Sequence, residues 1–204
     1  MTGVTSLERL REHPEVARLA ERIRKRQPRE VSEPGVRRAA VALIIRLSPE
    51  TADPEIFFIQ RAKYEADPWS GQIAFPGGRE EPGDESLVDT AVREIREETG
   101  IDIRRDGEIL GALDDLRPMT VRLPAIIVRP YVALLGDPSE PVLSHEVAAS
   151  FWVPLAALRD KLAWRETLVT ARGFEFSRLG FHHGEFVVWG MTERILSDFL
   201  AMVS

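Results

Sequence analysis

The chain has 204 residues, 44% hydrophobic and 29% charged, with a formal net charge of −6 from 33 acidic and 27 basic side chains. That apolar content excludes a disordered chain, and at about 150 residues per domain the length accommodates one ordinary core with an extension. The acidic balance leaves no whole-chain footprint for a nucleic-acid backbone, and the absence of cysteine excludes disulfide scaffolds, thiolate metal sites and cysteine nucleophiles.

Taken in chain order, residues 1–30 hold no apolar run of signal-peptide type, and no stretch of about 18 apolar residues occurs anywhere. The reading is a cytoplasmic protein with no membrane partner. Across 6–26, Leu7, Leu10, Val16, Leu19, Ala20 and Ile23 recur at helical spacing around the His13-Pro14 step, which predicts one or two short helices. The basic run Arg22, Arg24, Lys25 and Arg26 is interleaved with acids and reads as a solvated helix face. Residues 27–35, with Pro28 and Pro34, read as a linker, so that 1–35 is a helical extension and 36–204 the main domain.

Beyond the linker, 39–47 and 56–60 read as a strand pair, with a short strand at 72–75. Residues 86–99 carry helical periodicity up to the stop at Gly100. Strands are expected at 108–113, 125–135 and 148–153, a short helix at 155–162, a hairpin around His182-His183-Gly184, and a final amphipathic helix at 192–202. His182 and His183 read as exposed turn residues, and Trp152 and Trp189 as core. Mixed strands with few helices imply an α/β or α+β fold.

The helix at 86–99 carries the chemistry. At 100° per residue, Leu87, Val88, Ala91, Val92 and Ile95 fall within an arc of roughly 140°, enough for a buried face. Glu94, Glu97 and Glu98 gather on an adjoining arc. Like charges at spacings of three and four repel, and Glu97 and Glu98 sit in the last turn, where the helix dipole disfavours anions. A hard divalent cation reverses both penalties. A solvated acidic face balanced by Arg93 and Arg96 is the other reading of the helix alone.

Before the helix, Phe75-Pro76-Gly77-Gly78 ends a strand in a turn whose backbone can approach a ligand closely, and Glu81-Pro82-Gly83-Asp84 makes a second turn. The run from Gly78 through Glu85, followed by Arg93-Glu94-Ile95-Arg96-Glu97-Glu98-Thr99-Gly100-Ile101, resembles the GxxxxxE…REUxEExGU signature of the Nudix hydrolases, with U aliphatic. The second half fits at every specified position. One departure exists: six residues, not five, separate Gly78 from Glu85, so that Asp84 holds the place counted from the glycine.

The resemblance implies an α/β/α sandwich around a mixed sheet and metal-dependent hydrolysis of a nucleoside diphosphate linked to another moiety. It further implies Mg²⁺ or Mn²⁺ as cofactor, Glu94, Glu97, Glu98 and the Gly78 carbonyl as metal ligands, and Arg93 as an organiser of neighbouring carboxylates. Glu94 and Glu98 are candidates for the general base. The expected partner is a small-molecule nucleotide diphosphate, with no nucleic acid, and a homodimer is compatible with the sequence.

Two stretches bear on the substrate. The segment from Gly71 to Gly78, with Arg61 ten residues upstream of Gly71, resembles GxxxFPGG of the coenzyme A diphosphatase branch, and the sequence from Val188 to Leu196 also looks like that branch. Its products would be 3′,5′-ADP and a 4′-phosphopantetheine. The branch places an arginine where this chain has Asp67. Other nucleotide diphosphates, such as ADP-ribose-like ones, and a silent nucleotide-binding sensor are the alternatives. Substrate contacts are expected from Arg61, Gly77 and Gly78; the Arg61 side chain either reads a phosphate or pairs with Glu65. Trp69 either stacks on a base or packs over its loop, and Arg117 and Arg122 lie in a connection that either contacts substrate or is solvated. Glu146, on a loop ahead of a strand, is the expected third catalytic carboxylate, since such loop acids complete the site in several Nudix enzymes.

Overall fold

The computed structural model describes residues 5–64, 69–118, 125–136, 140–171 and 174–203. Two helices open it, α1 (Ser6–Glu12) and α2 (Pro14–Lys25). Thr5 and Glu8 form a reciprocal capping box at the start of α1, and Pro14 at the first position of α2 divides the two, since proline has no N–H to donate to a preceding turn. The basic end of α2 is tied down by ion pairs from Arg24 to Glu108 and from Arg26 to Asp114.

The main sheet contains β1 (Arg37–Leu47), β2 (Pro54–Arg61), β3 (Ile73–Ala74), β4 (Gly77–Arg79), β5 (Gly107–Ala112), β6 (Ile126–Leu135) and β7 (Val147–Pro154). Its order is β3-β2-β1-β6-β5, with β4 added to β1 and β7 to β2. The β1–β6 pairing is parallel and the other pairings are antiparallel, so the sheet is mixed. Between β5 and its predecessors run α3 (Leu87–Thr99) and the single turn α4 (Ile103–Asp106). Ser86 caps α3 at its N-terminus, and Gly100 ends it in the left-handed region at φ 70°, a conformation glycine adopts without steric cost.

After β7 come α5 (Leu155–Leu158), a 3-10 turn (Lys161–Ala163), β8 (Trp164–Ala171), β9 (Phe174–His183), β10 (Phe186–Val188) and α6 (Met191–Val203). The last three strands form a separate antiparallel sheet, β10-β9-β8. Alternation along β1 sets the layers. Leu43 and Ile45 pack with α2, α6 and the small sheet, while Ala42 and Ile44 pack with Ile95, Ile101 and Ile103 on the α3 side. The result is an α/β/α sandwich around a mixed sheet. Among the described residues no helix is long and apolar enough to cross a membrane.

One irregularity positions the site. β1 pairs with β2 only from Ile45 to Leu47 and with β4 from Ala39 to Val41, while β2 turns its corresponding edge to β3 through Ile59 and Gln60. The segment from Ile73 to Arg79 is thus wedged between two diverging strands, with the Ala42 amide donating to the Pro76 carbonyl at 2.9 Å.

Several sequence expectations are corrected. The helix at 155–162 is a single turn ending at Leu158, and the strand from Trp164 to Ala171 was not foreseen. The hairpin is present, but His182 and His183 are half-buried members of β9, and the His183 ring stacks 6.4 Å from Phe151 and 6.2 Å from Phe181. Trp152 and Trp189 are half-buried rather than core. Trp152 lies beside Phe57 and beneath the Arg46 guanidinium, 3.9 Å from its ring centroid. Arg117 pairs with Glu33 at 2.9 Å. Glu65, Asp67 and Arg122 lie outside the described residues.

Candidate active site

The divergence of β1 from β2 opens a cleft of about 730 Å³. Its lining includes the carboxylates of Glu94, Glu98 and Glu146 with Arg61, Gly77 and Gly78. Val41, Ile126, Val128, Met191 and Ile195, from β1, β6 and α6, add an apolar surface to the same cleft. Pairing places Val41 opposite Gly77 and Ala39 opposite Arg79, so their faces form one wall.

Glycine is required at both positions of the turn. Gly77 has φ 151°, and a Cβ there would meet the backbone of Ala40 and Val41. On Gly78 a Cβ would run into the carboxylate of Glu94. The acid therefore lies directly against the backbone of β4, and the Gly77 amide donates to Glu98 Oε2 at 2.9 Å.

Arg93 organises the acids around it. Its Nε and Nη2 donate to the two oxygens of Asp84, both at 2.9 Å, and its Nη1 reaches Glu94 Oε1 at 2.9 Å and Glu97 Oε2 at 3.0 Å. Its Nη2 also donates to the Arg79 carbonyl at 2.9 Å. Asp84 accepts further bonds from Thr90 Oγ1 and the Glu81 amide. This settles the departure in the box: Asp84, counted from the glycine, holds Arg93, while Glu85 is exposed. The bidentate Arg93 guanidinium holds the Asp84 carboxyl well below the usual range and is itself raised, with Asp84 as the largest cause.

The three carboxylates of α3 occupy different settings. The Glu98 side chain is 4% exposed, Glu94 14% and Glu97 59%. Burial pushes Glu98 up to about 7, with Glu94 and Glu146 adding to the rise while the Gly77 amide and Arg61 oppose it. Burial likewise raises Glu94, against the pull of Arg93. Glu146 contributes to both shifts, so the loop acid faces the helix acids across the cleft although it is 45 residues beyond the box. Arg61, at the end of β2, brings Nη1 to 3.9 Å from Glu98 Oε1. Glu97 points outward to Arg93 and is not part of the cleft lining.

Among the described residues no three His, Asp or Glu side chains stand in a ready-made metal cluster. The donor set nevertheless fits a hard divalent ion: hard oxygen donors, two of them raised by burial and mutual repulsion, packed against a glycine backbone with no side chain of its own.

Sequence reasoning did not foresee three features. The Tyr64 hydroxyl donates to the His145 carbonyl at 3.0 Å, and the Ala62 amide to the Glu146 carbonyl at 2.8 Å, joining the loop after β2 to the Glu146 loop. The apolar lining contributed by α6 depends on chain return over more than 100 residues, for which no local pattern exists. Glu98 was placed off the apolar arc, yet it lies seven residues from Ala91 and three from Ile95, spacings that already bring it onto the buried face.

A strand-turn-helix that sets several carboxylates beside a glycine backbone, under a cleft in a mixed-sheet sandwich, defines a class of hydrolytic sites for phosphate anhydrides. The NUDIX domain family model matches residues 36–172. The chain is 31% identical over 167 residues to the mitochondrial coenzyme A diphosphatase NUDT8 of Homo sapiens, covering 80% of this chain and 68% of that one. It is 31% identical over 169 residues to the uncharacterized Nudix hydrolase NudL of Photorhabdus laumondii, covering 82% and 85%. An uncharacterized protein of Schizosaccharomyces pombe is 35% identical over 150 residues, which is 64% of this chain but only 45% of that longer one. In fold, the chain is similar to a NUDIX hydrolase from Alicyclobacillus acidocaldarius, with a TM-score of 0.56 at 19% identity over 83% of this chain and 93% of that one. The chain belongs to the Nudix family and is a pyrophosphohydrolase acting on nucleoside diphosphate derivatives.

Proposed function

We propose that the substrate is coenzyme A or one of its thioesters, cleaved at the diphosphate to 3′,5′-ADP and a 4′-phosphopantetheine. The observation that carries this reading is a single cleft lined both by carboxylates beside a glycine pair and by an apolar surface from β1, β6 and α6. Such a lining suits a molecule that carries both a diphosphate and a long, largely uncharged arm. The likeness to a coenzyme A diphosphatase at 31% identity supports it.

In this reading Glu94, Glu97, Glu98 and the Gly78 carbonyl would hold Mg²⁺ or Mn²⁺. Bound there, the metal supplies charge neutralisation for the diphosphate and a more acidic attacking water. Arg93 fixes the pitch of the helix acids through Asp84. Arg61 orients a phosphate oxygen from the opposite wall. Glu146 accepts the proton of the attacking water, being exposed on a loop and free of the burial that restrains Glu98.

Steady-state turnover of coenzyme A, dephospho-coenzyme A, ADP-ribose and dinucleoside polyphosphates, each with Mg²⁺ or Mn²⁺, tests the proposal. Coenzyme A is expected to give the highest kcat/KM, with 3′,5′-ADP as product. A higher value for ADP-ribose overturns the substrate assignment, and turnover of none favours a nucleotide-binding sensor.

A further inference from the structure

Arg79 follows the glycine pair on β4 and sits opposite Ala39 on β1, a register that puts both side chains on the same face of the sheet. That face is the cleft wall, and Arg79 lines the cleft. The side chain is exposed. Its carbonyl is held by Arg93, but its guanidinium has no hydrogen bond or ion pair to any described residue. Other cations nearby are engaged: Arg93 by Asp84, Glu94 and Glu97, and Arg61 faces Glu98. A guanidinium presented to a cleft on a strand paired to β1, its own carbonyl held by Arg93, is positioned for a planar anion, and phosphate matches its donor geometry.

Place along the strand narrows which phosphate. Arg79 lies two residues from Gly77, about 7 Å along β4, and points to the face away from Glu94, whose carboxylate packs on Gly78. Its guanidinium thus stands on the cleft wall apart from the helix carboxylates, on the strand face that Ala39 and Val41 share. The geometry points to Arg79 as a specificity-determining residue that binds a phosphomonoester on the nucleotide, separate from the diphosphate being cleaved. This inference rests on the coenzyme A reading, in which the 3′-phosphate is that group, and it gives this chain a cation for it although Asp67 stands where the branch has arginine.

The test compares wild type, Arg79→Gln and Arg79→Lys on coenzyme A and dephospho-coenzyme A, which differ only in the 3′-phosphate. In Arg79→Gln the ratio of kcat/KM for coenzyme A to that for dephospho-coenzyme A is expected to fall by about tenfold to hundredfold, through KM. Arg79→Lys should recover part of it. Calorimetric binding to metal-free protein supplies a second readout: the preference for 3′,5′-ADP over 5′-AMP should shrink in Arg79→Gln. An unchanged ratio and an unchanged preference, or equal losses on both substrates, overturn the inference while leaving coenzyme A as substrate. Failure of the wild type to cleave coenzyme A removes the substrate reading and this inference together.

Discussion

Glu98 carries a carboxylate in the last turn of a helix, packed with Thr99 and Ile95 among buried neighbours and bonded to a single amide. Its folded pKa of about 7 stands above the unfolded value of 4.5. Between those values the folded state holds more protons than the unfolded one, so this group's contribution to stability falls as pH rises through the window and is least above 7. Glu98→Gln should therefore raise the melting temperature of metal-free protein at pH 8, by a gain on the order of 1–3 kcal/mol that vanishes below about pH 5. The same variant should lose on the order of 10²-fold or more in kcat. A variant less stable than wild type at pH 8 would contradict the buried-charge account. Glu146 offers the contrast. It is exposed, so Glu146→Gln should leave the unfolding free energy within about 0.5 kcal/mol of wild type while lowering kcat on the order of 10²-fold. A change confined to the Mg²⁺ requirement would make it a peripheral ligand instead of the base.

At the scale of elements, the strand-turn-helix unit from β3 to α3 is held by two devices that substitution can separate. Gly77→Ala places a Cβ against the Ala40 and Val41 backbone at a left-sided φ, and should destabilise the fold. Gly78→Ala meets only the Glu94 side chain, and should leave the protein folded but displace that carboxylate and abolish most activity. Equal thermal losses in both would refute this division. The turn before α3 is anchored by Asp84, not Glu85. Asp84→Asn should cost about 2 kcal/mol by weakening charge-assisted bonds to Arg93, while Glu85→Gln, at an exposed position, should be neutral in both melting temperature and kcat. The box pattern left these two acids indistinct because a one-residue slip in a loop changes no periodicity. Only the guanidinium of Arg93 chooses between them.

Across the whole molecule, Leu10, Val16, Leu19 and Ile23 from α1 and α2 share one apolar cluster with β1, β6 and α6. Asp115, fully buried, binds the Arg129 guanidinium and accepts the Val31 amide, so the segment ahead of β1 is strapped to β6. Leu19→Ala should therefore lower global stability by about 2–5 kcal/mol in a single transition, seen equally by far-ultraviolet dichroism and tryptophan fluorescence. Two separated transitions would show that the first helices melt independently.

The sequence by itself determined the local units: helix limits set by Ser86 and Gly100, the split at Pro14, the apolar run of β1, and a fixed series of carboxylates, because each depends on neighbours within one or two turns. It also placed Arg93 between acids at spacings a helix brings together. Tertiary structure alone decided which acids meet. The parting of β1 from β2 set Gly77 and Gly78 against Glu98 and Glu94, chain return brought Glu146 and α6 to the same cleft, and desolvation there made Glu98 differ from Glu97, its immediate neighbour. Burial and long-range pairing depend on contacts between residues tens to more than a hundred positions apart, and no local pattern carries that information.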